Sequence, residues 1–269
     1  IGTFSIEGEG QKRFNDAMDE LSRSTKNTRL LYYSALMNLT SIVEWYFSQL
    51  LHFYFDKYPN AGGIKEKVFS YEDLKGFESI DDAKQYFKES KVENILRDSF
   101  TEWINHFKTS DMNLSMGYLD DKETTLYETF LRRNLVVHNA GKVNKTYLSK
   151  ASSKFTKSVK VDETLTVTRE YLNERIDLFE SNCLLIAFEM WKKIDLNDCD
   201  RGDLLHNLSY NYLTEDRFQV SESLSYFLKN DKNMNEADIL VGKLNHWLSK
   251  KRKGEWDEIK EEVQTSDFS

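Results

Sequence analysis

Helix breakers are scarce in this chain: one proline and 11 glycines in 269 residues, against an average combined usage of about 12%. Sandwiches and barrels turn often and need such residues, so the shortage points to long helices. Cysteine is nearly missing too. Cys183 and Cys199 have no pairing motif and no histidines at metal-ligand spacing, which argues against a disulfide framework or a zinc site. Cys183 falls on an apolar helical stripe, where a buried thiol is expected. So few cysteines suit a reducing compartment, and a cytoplasmic location is expected. No apolar run approaches the ~18 residues of a membrane span, so no membrane partner is expected. The start, I-G-T-F-S-I-E-G-E-G, lacks a methionine and the basic-then-apolar order of a signal peptide. Residues 1–14 read as a tail or a trimmed boundary.

What is present describes a folded, charged protein. Charged residues make up 30% and aromatics 13%, and that aromatic content excludes disorder. The net charge of −8 opposes general affinity for nucleic acid. Its distribution matters more. Six lysines and no acid lie between Lys142 and Lys160.

Apolar periodicity predicts a helix over 27–58, with Leu36, Leu39, Val43, Tyr46, Leu50 and Phe53 on one face. Pro59 and the pair Gly62-Gly63 are expected to end it. Residues 60–90 read as a loop with short pieces of structure. A second helix is expected over 91–108, a third over 121–139 closed by Gly141, and the longest over 169–195. In that last one Leu172, Ile176, Phe179, Cys183, Ile186 and Met190 keep a heptad. Residues 155–168 alternate and suggest a small β-hairpin or an extended loop. Shorter helices follow over 203–213, 216–229, 235–250 and 255–264. The expected fold is all-α.

Most motifs of chemistry are missing: no Walker A loop, no G-x-G-x-x-G after a strand, no G-x-S-x-G elbow and no H-E-x-x-H. No metal site and no cofactor are expected. Asp81-Asp82 and Asp120-Asp121 sit at expected helix starts, where carboxylates complement the dipole. His52, His106 and His246 stand singly beside aromatics and read as structural. One segment differs: L-R-R-N-L-V-V-H-N-A-G-K-V-N-K-T-Y-L, residues 131–148. Tyr127, Leu131, Asn134 and His138 are spaced four, three and four, so an apolar stripe turns polar at its last two members. Buried polar groups need partners, which suggests a polar cleft or an interface there. Arginine and histidine at a helix C-terminus also satisfy free carbonyls without any chemistry. A second copy of the spacing, Arg201 to His206, straddles an expected helix start and reads as accidental.

Arg133, Asn134 and His138, with H-N-x-G-x-V-N-x-x-Y-L after them, resemble the signature of the HEPN superfamily. These are helical domains common in prokaryotic toxins and defence ribonucleases. The resemblance covers residues 15–196 and leaves 200–264 as a C-terminal helical-hairpin extension. It implies a HEPN-like helical bundle and a metal-independent endoribonuclease, with Arg133, His138 and Asn134 as catalytic residues. It implies a composite site at a homodimer interface, RNA as substrate, and a cognate antitoxin or defence-system protein as partner. Arg132 is a reserve cation. Lys142, Lys145 and Lys150 are expected to bind RNA phosphates, with Tyr147 and Phe155 available to stack bases. The alternatives are a catalytically silent HEPN scaffold binding a protein or nucleotide, and a helical adaptor working through 200–264.

Overall fold

The computed structural model describes residues 8–59, 61, 68, 70–109 and 112–266. The fold is all-α. Its helices are α1 (Glu9–Lys57), α2 (Tyr71–Leu74), α3 (Ile80–Leu96), α4 (Phe100–Thr109), α5 (Glu123–Asn139), α6 (Lys145–Lys150), α7 (Ser153–Thr156), α8 (Arg169–Ile194), α9 (Asp200–Thr214), α10 (Phe218–Asn230), α11 (Glu236–Lys253) and α12 (Lys260–Thr265). The chain divides into two compact units. The first takes the chain up to Thr40 together with Leu131–Glu174; the second takes Ser41–Phe130 and the chain from Arg175 onward.

Local sequence explains where the helices begin and end. Helix α1 starts at Glu9, far upstream of the expected start, so the stretch read as a tail is helical from that residue. The apolar period was too weak there to mark a helix, but no proline or mid-segment glycine interrupts 11–57, and helix formers carry it. Gly62 and Gly63 lie outside the described residues. The helix expected over 91–108 is two helices. Helix α3 is capped by Ser79, whose side chain accepts from the Asp82 N–H at 3.1 Å. It stops at Leu96, and Ser99 opens α4, accepting from the Glu102 N–H at 3.4 Å. Serine before a helix supplies the acceptor that orphan N–H groups require.

In the first unit, Tyr33 and Leu36 of α1 pack with Val167 and with Leu172 of α8, flanked by Val136 of α5. Of the small β-hairpin or extended loop expected over 155–168, the hairpin does not form and an extended loop does. Residues 153–156 make α7, and the extended part pairs with 141–143 through a single antiparallel bridge, Lys142 to Thr164. The Val143 N–H donates to the Glu163 carbonyl at 2.8 Å, and the Leu165 N–H to the Gly141 carbonyl at 2.9 Å. The alternation in sequence reflects this short pairing, which is too brief for a strand.

In the second unit the buried ladder of α1 is Val43, Phe47, Leu51 and Tyr54. It is rotated from the expected stripe, and Phe53 is 55% exposed. Phe47 decides the rotation by meeting Phe100, Trp103 and Phe107 with ring centroids 5.9, 5.7 and 5.4 Å away. Leu185 and Phe188 of α8 share a core with Leu205 of α9 and Val220, Leu224 and Leu228 of α10. The C-terminal helices thus complete the hydrophobic face of α8.

Candidate active site

The motif occupies the last two turns of α5 and the turn after it. Leu131 and Leu135 are buried, Arg132 and Arg133 half-buried, and Asn134 and His138 exposed. The stripe of Tyr127, Leu131, Asn134 and His138 therefore runs from half-buried and buried positions to open solvent. Arg133 and His138 are five residues apart, about 140° around the helix. Asn134 lies between them, about 40° from His138. The Arg133 guanidinium folds over Asn134, its Nη1 donating to Asn134 Oδ1 at 3.1 Å. Asn134 thus positions the arginine on the histidine's side of the helix.

The turn that follows fixes the end of α5. Ala140 and Gly141 both take positive φ, 51° and 82°, and the Gly141 N–H donates to the Leu135 carbonyl at 2.9 Å. This is the left-handed closure that glycine adopts without strain. Glycine is required twice over, because a Cβ there would sit 2.4 Å from Tyr33 Oη. Asn139 Nδ2 donates to the Lys142 carbonyl at 2.6 Å, which ties the turn to the basic segment. These bonds fix the backbone just after His138.

The expected RNA-binding residues separate in the structure. Arg132 points to its own neighbours: Nη1 donates to the Thr166 carbonyl at 3.1 Å, and the guanidinium lies 4.2 Å from the Tyr171 ring centroid. Lys142, Lys145, Lys150, Lys154, Lys157 and Lys160 are all exposed. Among the described residues, no carboxylate pairs with any of the six. Asn144 caps α6, accepting from the Tyr147 N–H at 2.8 Å. Tyr147 is buried in the first unit, so it is core and not a stacking platform. An aromatic beside lysines carries the same letters in either role; burial separates them. Phe155 is half-buried, with Lys154 Nζ 5.5 Å from its ring centroid.

The second copy of the spacing has a structural occupation. Arg201 is fully buried and donates to the Asp195 and Leu196 carbonyls at 2.8 and 2.9 Å. Its Nη2 lies 3.4 Å from Asp231 Oδ2. Cys183 is half-buried, and burial pushes its thiol up to about 12. His246 is buried against the Tyr226 ring, and that burial lowers its pKa.

Sequence reasoning missed a cavity of about 580 Å³ in the second unit, bounded by Tyr118, Lys122, Glu189, Lys192, Phe227 and Asp231. Lys192 Nζ pairs with Asp231 at 3.0 Å. The Tyr118 hydroxyl is buried without a hydrogen-bond partner, and burial pushes the Glu189 carboxyl above its ordinary range. These residues come from the 117–122 segment, α8, α10 and the residue after α10, so no local pattern announces them.

Among the described residues, no group of His, Cys, Asp and Glu side chains could hold a metal ion. No helix among them is long and apolar enough to cross a membrane. No protein-family model, no curated protein and no solved structure matches this chain.

Proposed function

We propose that this protein is a HEPN-type endoribonuclease, a toxin or defence effector that cleaves RNA with its own side chains. The observation that carries the reading is the polar end of α5, where Arg133 is aimed by Asn134 and His138 stands exposed beside them. The ribose 2′-oxygen forms a bond to the adjacent phosphorus, the bond from phosphorus to the 5′-oxygen breaks, and a 2′,3′-cyclic phosphate remains. His138 takes the 2′-hydroxyl proton, since imidazole exchanges protons near neutral pH. Arg133 stabilises charge growing on the phosphoryl oxygens with paired donors. The departing 5′-oxygen also needs a proton, and one imidazole cannot serve both positions at once. A second copy's His138 supplies it in a homodimer with the α5 ends facing. The six exposed lysines after the motif give RNA phosphates a landing surface. A toxin of this kind needs an antitoxin or defence-system partner in the same cell, which is cytoplasmic in this reading.

The test is cleavage of a labelled RNA in EDTA, with product ends identified. Wild type is expected to leave 2′,3′-cyclic ends, and Arg133→Ala and His138→Ala to lose cleavage while keeping wild-type circular dichroism. Cleavage abolished by chelation and restored by magnesium, or retained in His138→Ala, overturns the reading. A second reading, a silent scaffold that binds a nucleotide or protein, is favoured by the cavity that Glu189 and Lys122 border together with Tyr118 and Phe227. A ligand held equally by wild type and His138→Ala, with no cleavage by either, supports it.

A further inference from the structure

The cavity of about 580 Å³ in the second unit has the size of a small-molecule site. Its charged side chains are Lys122, Glu189, Lys192, Glu222 and Asp231. Three of them are paired within the fold. Lys192 and Asp231 meet at 3.0 Å, and Arg201 brings a second cation to Asp231 at 3.4 Å. Glu222 is held by Lys250 at 3.0 Å and by Lys253 at 2.6 Å.

The two left over, Lys122 and Glu189, make no ion pair among the described residues, and they are of opposite sign. Lys122 gives one N–H to the Tyr118 carbonyl at 3.1 Å and keeps two donors. Glu189, on α8, makes no hydrogen bond among the described residues, while burial already pushes its carboxyl above the ordinary range. A carboxylate taken from water without donors is costly, and a cation brought to it offsets that cost.

Tyr118 links the two charges. Its carbonyl takes the Lys122 ammonium. Burial first, and then the charge of Glu189, raises its hydroxyl well above the ordinary value, so that hydroxyl lies in the field of Glu189. It is also buried without a hydrogen-bond partner. Lys122 and Glu189 therefore stand at the two ends of one tyrosine, within reach of one small molecule. Leu185 and Phe227, both part of the core formed by α8, α9 and α10, add apolar wall, and Tyr226, 55% exposed, adds a second ring.

We propose that this cavity binds a free amino acid with an aromatic or large apolar side chain. The ligand's ammonium pairs with Glu189 and donates to the Tyr118 hydroxyl. Its carboxylate pairs with Lys122, and its side chain lies against Leu185, Phe227 and Tyr226. A purely anionic ligand would leave Glu189 unmatched, and a purely cationic one would leave Lys122 unmatched. A zwitterion matches both, and it gives the buried hydroxyl its missing partner. All of these residues belong to the second unit, and the site stands whether or not His138 cleaves RNA.

Titration calorimetry of the full chain with L-phenylalanine, phenethylamine and 3-phenylpropionate separates the two charges. Phenylalanine is expected to bind best, and each one-charge analogue about tenfold more weakly. Glu189→Gln is expected to weaken phenylalanine about tenfold and to leave 3-phenylpropionate unchanged, because that analogue has no ammonium to lose. Lys122→Gln is expected to weaken phenylalanine similarly and to leave phenethylamine unchanged. The analogue that each variant still binds shows that its cavity is folded. No heat from phenylalanine at millimolar concentration, equal affinity for all three compounds, or ATP bound in place of phenylalanine overturns the proposal. Equal weakening of phenylalanine and 3-phenylpropionate by Glu189→Gln also overturns it, since a merely structural carboxyl acts in that way. Phenylalanine binding without RNA cleavage upholds this site and not the ribonuclease reading; cleavage without phenylalanine binding does the reverse.

Discussion

Gly141 and Tyr33 show how one residue pair fixes the end of the motif helix. The left-handed φ of 82° costs a side-chain-bearing residue about 1–2 kcal/mol, and the 2.4 Å approach of Tyr33 Oη adds a clash. Gly141→Ala is expected to lower unfolding free energy by about 2–3 kcal/mol, measured by urea denaturation. Tyr33 Oη is buried without a hydrogen-bond partner. Tyr33→Phe alone should therefore leave stability unchanged or slightly raised. Combined with Gly141→Ala it should recover part of the loss, since the nearest ring atom left is 3.2 Å away; no recovery would refute the clash. Arg201 is the contrasting arginine. Its charge is sealed against Asp231 and two carbonyls, and removing one partner of a buried pair costs about 3–5 kcal/mol. Arg201→Ala should unfold at markedly lower urea, whereas His206→Ala should change neither stability nor RNA cleavage. A His206→Ala enzyme as inactive as His138→Ala would show that the wrong copy carries the chemistry.

Among the elements, the segment from Lys142 to α7 joins the motif to the basic surface. Asn144 and Ser152 cap its two short helices, and Tyr147 anchors it in the core. Its lysines are thus presented on ordered backbone. Changing Lys142, Lys145 and Lys150 to glutamine should weaken RNA binding and flatten its salt dependence. Each lost phosphate contact lowers the log–log slope by roughly 0.7 for a single strand. Binding measured across a salt series with an unchanged slope would remove these lysines from the interface. Helix α1 carries the opposite lesson. Its period is legible from about residue 27, where tertiary packing reinforces it, and faint upstream, where exposure leaves propensity alone to hold the helix.

Over the whole molecule, stability should respond to pH through Glu189. Burial raises its folded pKa above the ordinary carboxylate value, with Lys192 only partly opposing. A carboxyl raised in this way contributes stability below its unfolded pKa, and that contribution is lost as pH rises through the folded value. Glu189→Gln removes the charge that burial penalises. Its melting temperature should exceed that of wild type at pH 7.5, and the gap should close toward pH 4. A gap constant over that range would mean that the carboxylate is not desolvated. His246, lowered by burial, acts in the other direction. It remains neutral in the folded state, so acid favours the unfolded chain as pH falls through the unfolded histidine value.

Composition and period by themselves determined the all-α class, the long helices α1 and α8, and the placement of Arg133, Asn134 and His138 at the end of α5. Each of these follows from local rules: breaker scarcity, 3.6-residue spacing, and a glycine past the last turn. Other features came only from packing between distant segments. The aromatic cluster around Phe47 rotated the buried face of α1 and left Phe53 outside. Burial turned Tyr147 from a base-stacking candidate into core, and the same force gave Arg201 carbonyl partners that its spacing to His206 does not reveal. The division into two units, each built from segments on both sides of α5, likewise came from tertiary structure. Local spacing fixes which side chains share a helix face, while the neighbours brought by the rest of the chain fix whether that face meets core, solvent or another copy.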